Sequence, residues 1–401
     1  MLLLKLVLLL GILPWCVSPF FALLLRQFVP TFHTVASLSR LKKPQHWPKL
    51  SVLVPACNEE DTIEGSLRTL LKQTYPNLEI VVVNDRSTDR TAEVIEQLAS
   101  EDTRIRSLHI DRLPEGWLGK VHALHCAAQQ ASGEWLLCTD ADIHFVPDCL
   151  ERAVLYAERE NLDHLSLLPR MTSRSQWARF AIVSALRGIL IAVKPWHVND
   201  PERPEGVGVG AFNLLRRVAF EDTQGFEWLK MDVADDVALG QLMKNATGRS
   251  HVLLAYEDIE VEWYPTVERV FLGLEKNAFA QVARCDFRQG MLVGGLALFI
   301  AFAPLLLWLI GEHFWATVPV VGAVITSMIF HQSLGLSMLD CLGSFFFGDA
   351  LMGAVILRST WLGEERGGVI WRDTVYTSSD LQAGMRVHFG DWLTEWLSRF
   401  R

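Results

Sequence analysis

From Lys49 onward, short apolar runs alternate with amphipathic stretches, and that alternation restricts the chain to an α/β fold. Residues 50–55, 78–83, 105–110 and 135–138 have the continuous apolar character of buried strands. Residues 63–73, 91–99 and 120–131 carry apolar side chains at helical spacing. Repeated units of this kind predict a mostly parallel sheet flanked by helices, with right-handed crossovers and a ligand crevice at the carboxyl edge of the strands. Oxygen-bearing residues stand where three of the runs end: Asn58, Glu59 and Glu60 after the first, Asn84 and Asp85 after the second, Asp140 and Asp142 after the fourth.

The run Leu136-Leu137-Cys138 gives way to Thr139-Asp140-Ala141-Asp142. Residues two apart on a strand face the same way, so two carboxylates so placed can share a divalent cation whose other ligands are phosphate oxygens and water. The competing explanations are an ordinary acidic loop, or helix N-capping, which accounts for Asn58 and Asp89 better than for Asp140 and Asp142 together. No G-x-G-x-x-G follows a strand, and no G-x-x-x-x-G-K-[ST] is present, so neither a dinucleotide fold nor a P-loop kinase is indicated. A magnesium or manganese ion on the aspartates is the economical alternative for holding a diphosphate.

Half of the 401 residues are hydrophobic, more than in an average soluble domain, which points to membrane segments. Residues 2–25 are long enough to cross a bilayer and are followed by Arg26, Arg40, Lys42, Lys43 and Lys49. A signal peptide competes with this, but no small-residue cleavage site follows, so an uncleaved anchor with a cytoplasmic basic flank is expected. Residues 291–310 and 314–336 are each long enough to span, and 341–357 is a shorter candidate that contains Asp349. That carboxylate is expected either to face protein or water or to lie solvated at the interface. Arg358, Arg366, Arg372, Arg386, Arg399 and Arg401 favour a cytoplasmic tail, whereas three full crossings would put the tail outside; Trp361, Trp371, Trp392 and Trp396 suit an interface. The net charge of −9 argues against nucleic acid as a partner. The seven cysteines show no C-x-x-C pair, so a zinc site or a disulfide framework is not indicated.

Four ordered stretches carry a resemblance: Val54-Pro55-Ala56-Cys57-Asn58-Glu59-Glu60, Asn84-Asp85-Arg86-Ser87-Thr88-Asp89, Gly119-Lys120-Val121-His122-Ala123-Leu124, and Thr139-Asp140-Ala141-Asp142. Together they resemble family 2 glycosyltransferases with the GT-A fold. Residues 206–217 (GVGVGAFNLLRR) are similar to that family's glycine-containing acceptor-side strand, and Asp235-Asp236-Val237-Ala238-Leu239-Gly240 to its Glu-Asp-x-x-Leu-Gly motif. The likeness spans roughly residues 51–290. It implies that Pro55, Ala56 and Glu59 line the nucleotide pocket, that Asp85 contacts the base or ribose, that Lys120 and Asp140 lie at the nucleotide-sugar, and that Asp142 ligates the metal. Asp236 would be the base, with Asp235 beside it. For Asp232, Asp235 and Asp236, the alternative is an acidic first helical turn favoured by the macrodipole. Gln281 and Arg284 match the family's Gln-x-x-Arg-Trp on the acceptor side, although Cys285 replaces the tryptophan. They also suit the wet side of an amphipathic helix whose apolar face includes Val267, Val270, Phe271, Leu274, Phe279 and Val282.

The expected organisation is an anchor at 1–26, a GT-A domain at 49–265, an amphipathic interfacial helix at 266–290, transmembrane segments at 291–357 and a cytoplasmic or interfacial tail at 358–401. The expected activity is inverting transfer of a sugar from a nucleotide diphosphate sugar, a UDP-sugar foremost, to a membrane lipid. The overall plan looks like that of hopanoid-associated glycosyltransferases. A processive polysaccharide synthase is the second expectation, disfavoured by Cys285 and by the few spans. A non-catalytic scaffold is the third, and it would predict erosion of Asp85, Asp140, Asp142 and Asp236, all of which are present.

Overall fold

In a computed structural model the described residues are 2–37, 43–372 and 374–387. Arg40, Lys42, Trp392, Trp396, Arg399 and Arg401 lie outside them. A seven-stranded sheet runs in the order Ile105–Ile110, Leu78–Asp85, Leu50–Ala56, Trp135–Cys138, Asn213–Arg216, His164–Leu168, Ser250–Leu254. Four of its six strand pairings are parallel, and Asn213–Arg216 is antiparallel to both neighbours. The three central parallel strands are buried almost throughout, which is why they read as unbroken apolar runs. Helices Ile63–Leu71, Thr91–Glu101, Gly119–Gln130 and Asp235–Thr247 flank the sheet. Strand Trp135–Cys138 ends before the acidic pair, so Asp140 and Asp142 sit in the following turn and owe their proximity to that turn rather than to strand periodicity.

Five helical segments are long and apolar enough to cross a membrane: Leu2–Phe28, Gln176–Val193, Phe287–Leu309, His313–Leu334 and Met338–Arg366. Three of them pack lengthwise. Lys5 pairs with Glu312 at 2.7 Å at one end, and Arg26 donates to Gln332 at 2.7 Å at the other. Close approach is set by small residues: a β-carbon on Gly322 would stand 2.5 Å from the Trp15 carbonyl oxygen, and one on Gly11 2.7 Å from the Ala303 β-carbon.

The segment Met338–Arg366 behaves differently. It begins just after Gly335, which lies against Tyr256 of the sheet domain, and near its other end Arg358 and Arg366 both pair with Glu275 at 2.6 and 2.7 Å. Both ends therefore return to the sheet domain; in between, Gly343 and Gly348 lie against Phe180 of Gln176–Val193, and Gly353 and Leu357 pack on Leu298 and Gly294 of Phe287–Leu309. Asp349 is buried and accepts hydrogen bonds from Ser184 at 2.5 Å and from Arg187, so it faces protein and is not solvated. Beyond Arg366 a hairpin, Gly368–Trp371 with Thr374–Thr377, packs back onto the sheet domain: Val369 and Tyr376 are buried with Trp117, Leu118 and Phe279. The described tail residues, 367–372 and 374–387, thus pack on the sheet domain.

The single amphipathic helix expected over 266–290 is broken in the structure. The segment bends through Val267–Gly273, Glu275–Asn277 and a π-helical turn, Ala278–Val282, and ends where Arg284 and Cys285 adopt φ of 55° and 53°. Apolar neighbours take both of its faces: Val270, Leu274 and Ala278 pack with Ala178, Ala181 and Val355, while Phe279, Ala280 and Ala283 join the core beneath the site. With both faces covered, Gln281 has no wet side and is 2% exposed.

Candidate active site

The two donor-side loops at the carboxyl edge are zipped together. Asn58, in the left-handed region at φ 54°, accepts from the Thr88 amide at 2.8 Å. The Glu59 amide donates to the Thr91 hydroxyl at 2.8 Å, and the Glu60 amide to Asp89 at 3.1 Å. Part of this polar cluster is therefore structural, as capping chemistry predicts. Pro55 and Ala56 end the central strand that leads into it. Asp85 closes the next strand, buried, and its carboxylate takes a bidentate pair from Arg86 at 2.8 and 3.0 Å. A β-carbon at Gly119 would lie 2.4 Å from Asp85 Oδ2, so only glycine lets helix Gly119–Gln130 begin there. That helix start delivers Lys120, whose ammonium sits 2.7 Å from Asp140 and 3.5 Å from Asp235.

Gly210 joins Asp140 to Asp236. Its carbonyl accepts the Asp140 amide at 3.1 Å, and its own amide donates to Asp236 Oδ2 at 2.8 Å. A β-carbon on it would stand 2.7 Å from Asp140 Oδ2, 3.2 Å from Asp236 Oδ2 and 3.5 Å from the Lys120 ammonium. Asp235 and Asp236 open helix Asp235–Thr247, and the second oxygen of Asp236 accepts the Val237 amide at 2.8 Å. Their surroundings differ: Asp235 is buried, whereas Asp236 keeps partial exposure, and both line a cavity with Lys120, Thr139, Asp140 and Asn213.

The electrostatics follow the geometry. Burial, with the charges of Asp140 and Glu59 added, pushes Asp142 up to about 7. Burial pushes Asp235 up to about 6, with Asp236 adding to the rise and Lys120 opposing it. Burial alone would pull Lys120 down, but Asp140, Asp235 and Asp236 hold it well above the ordinary lysine value. Among the described residues no three His, Cys, Asp or Glu side chains form a ready metal cage. A crowded carboxylate held short of cations suits an ion bound through one or two protein oxygens and completed by diphosphate and water.

Gln281 and Arg284 are not brought to this cavity as an acceptor pair. Gln281 donates to Asp232 at 3.0 Å, and the other oxygen of that fully buried carboxylate accepts the Arg386 and Val387 amides at 2.6 and 3.3 Å. The Arg284 carbonyl accepts from Gln382 at 2.9 Å, so Gln281 binds the loop before Asp235 while Arg284 binds the tail. No local pattern in the sequence marks two residues at the site, Lys276 and Arg372. Lys276 sits 3.5 Å from the centroid of the Trp371 ring, and burial lowers it to about 8. Arg372 pairs with Glu59 at 2.5 Å.

Residues 51–222 match the model of glycosyl transferase family 2. The chain is similar to a poly-beta-1,6-N-acetyl-D-glucosamine synthase of Staphylococcus epidermidis, 36% identical over 94 residues, which are 23% of this chain and 21% of that one. It is also similar to a beta-monoglucosyldiacylglycerol synthase of Nostoc sp., 26% identical over 259 residues, 60% of this chain and 51% of that one. A solved mannosyltransferase from Pyrobaculum calidifontis, in complex with GDP-Man and Mn2+, aligns over 88% of this chain and 99% of that chain at 19% identity, with a TM-score of 0.49. The chain spans between 21% and 51% of the length of these two curated relatives. The match takes in less than half of the chain, and Asp235, Asp236, Lys276 and Arg372 lie beyond the matched stretch.

Proposed function

We propose that the chain is a membrane-embedded, inverting glycosyltransferase that moves a sugar from a nucleotide diphosphate sugar to a lipid hydroxyl. The observation that carries this is the meeting of Asp140 and Asp236 at Gly210, in a body built together with membrane-length helices. Lys120, Asp140 and Glu59 would bind the donor, and Asp142 would hold a magnesium or manganese ion that neutralises the diphosphate. The acceptor hydroxyl attacks the anomeric carbon, the bond to the diphosphate oxygen breaks with its electron pair leaving on that oxygen, and the hydroxyl proton passes to Asp236. Each oxygen of Asp236 accepts one backbone amide and keeps a lone pair for that proton. One acceptor-side carboxylate open to the cavity fits one displacement, hence inversion.

The lipid reading is supported by the way Gln176–Val193 and Met338–Arg366 border the sheet domain, and by the lipid in the name of the Nostoc relative. A hopanoid or related isoprenoid lipid is the acceptor class we favour, with the domain in the cytoplasm behind the basic flank of the first helix. The test is to incubate purified protein in lipid with magnesium, radiolabelled UDP-sugars and total membrane lipid. Label extracted into organic solvent supports lipid transfer. Label in a water-soluble polymer supports the synthase alternative suggested by the Staphylococcus relative, and no transfer at all refutes both.

A further inference from the structure

The hairpin that follows Met338–Arg366 brings a cation to the mouth of the donor pocket from 313 residues away. We propose that Arg372 binds the diphosphate of the nucleotide sugar, exchanging Glu59 for phosphate oxygens when the donor enters; this rests on the glycosyltransferase reading above.

A diphosphate brought to a site holding Glu59, Asp85, Asp140, Asp142, Asp235 and Asp236 needs positive charge that is not already committed. Arg86 is committed, bound through two bonds to the buried Asp85. Lys120 is shared between Asp140 and Asp235. Lys276 lies against the Trp371 ring, facing Asp235. Arg372 differs from all three. Its side chain is 40% exposed, and it meets one carboxylate, on Glu59, which is itself on the donor side. A guanidinium has five donors in a planar fork that fits phosphate two bonds at a time, and an ion pair near the surface is cheap to exchange.

The hairpin body is fixed while the arginine can be re-aimed. Tyr376 is buried in the core that holds Trp117 and Leu118, just before Gly119 and Lys120. Thr374 accepts from Arg86 at 3.5 Å, and Val369 is packed in the core under the site. Glu275, which anchors the preceding helix through Arg358 and Arg366, is the neighbour of Lys276. Arg372 is thus carried by a rigid arm whose attachments are the donor-side loops themselves, which suits a residue that reads the donor.

The experiment is calorimetric titration of the full-length protein in detergent, with magnesium, using UDP and GDP and then the monophosphate of whichever binds. Arg372→Ala should weaken the diphosphate about 10–100-fold, the loss expected for a charge-assisted pair, and leave the monophosphate within about threefold. Arg372→Lys should fall between, because it keeps the charge and loses the fork. Equal weakening of both nucleotides would show that Arg372 only holds the hairpin, and an unchanged diphosphate affinity would overturn the proposal while leaving the glycosyltransferase reading intact. A wild-type protein that binds neither UDP nor GDP would overturn both.

Discussion

Carboxylates at the two ends of the same sheet are treated in opposite ways. At the amino end, Glu79 accepts from the Ser51 hydroxyl, from the Ser132 amide at 2.6 Å and from Lys49 at 2.9 Å. Burial works against its charge, yet those donors win and hold it down at about 2. At the carboxyl end, half-buried Asp142 and buried Asp235 lie among other carboxylates and are pushed up to about 7 and about 6. A carboxylate that serves the fold is saturated with donors. Those at the site are left short of them, at a cost in stability, and that shortage is what a cation, a sugar hydroxyl or a diphosphate clamp can use.

The largest effect that would break this contrast lies at the adjacent pair on helix Asp235–Thr247. Asp236→Asn removes the proton acceptor and should lower turnover about 10²–10⁴-fold while donor binding survives. Asp235→Asn should cost less, because that side chain is buried beside Lys120. Steady-state rates of the two variants, with the product's anomeric configuration read by NMR, check the assignment. The reverse ranking, or a retained configuration, removes Asp236 from the role of base.

A smaller effect is expected at Asp142. If its shortage of donors marks a cation site, Asp142→Asn should weaken magnesium-dependent donor binding by at least the roughly 10–100-fold that follows damage to a metal ligand's partner. EDTA should do the same to the wild type. Donor affinity that is indifferent to both would mean that Asp142 is crowded for another reason.

How much of this was legible in the sequence depended on distance along the chain. The strands at 50–55, 78–83, 105–110 and 135–138 and the apolar helix Leu2–Phe28 were readable because each signal is local, an apolar run with a polar edge. Strand Asn213–Arg216 was placed within a longer glycine-containing stretch, but its antiparallel direction follows from its pairing with His164–Leu168, which no local pattern states. Helix Gln176–Val193 was missed because Arg179 and Arg187 interrupt its apolar run, and their partners Asp340 and Asp349 lie over 160 residues later. Gln281 resembled an acceptor residue until Asp232 was seen to take its amide, and Arg372 looked like one of several tail arginines. The donor half of the site is written in neighbouring residues. The other half is assembled by packing.

The smallest effect is on stability, and it tests the contrast without any ligand. Glu79 titrates lower in the folded chain, about 2, than its ordinary 4.5, so the unfolded chain binds more protons in between. Its contribution is fully present above about 4.5 and is lost as pH falls toward 2. Asp235 titrates higher when folded, about 6, than its ordinary 3.8, so the folded chain binds more protons in between. Stability should therefore decline as pH rises from about 4 to 6 and stay lower above that window. Melting temperatures of the detergent-solubilised protein across pH separate the two. Asp235→Asn should flatten the decline between pH 4 and 6 and leave the acid limb alone. Glu79→Gln should lower the melting temperature most above pH 4.5 and bring it closest to wild type at the acid end. If both variants change the profile in the same direction, the two ends of the sheet do not differ in the way their hydrogen bonds say they do.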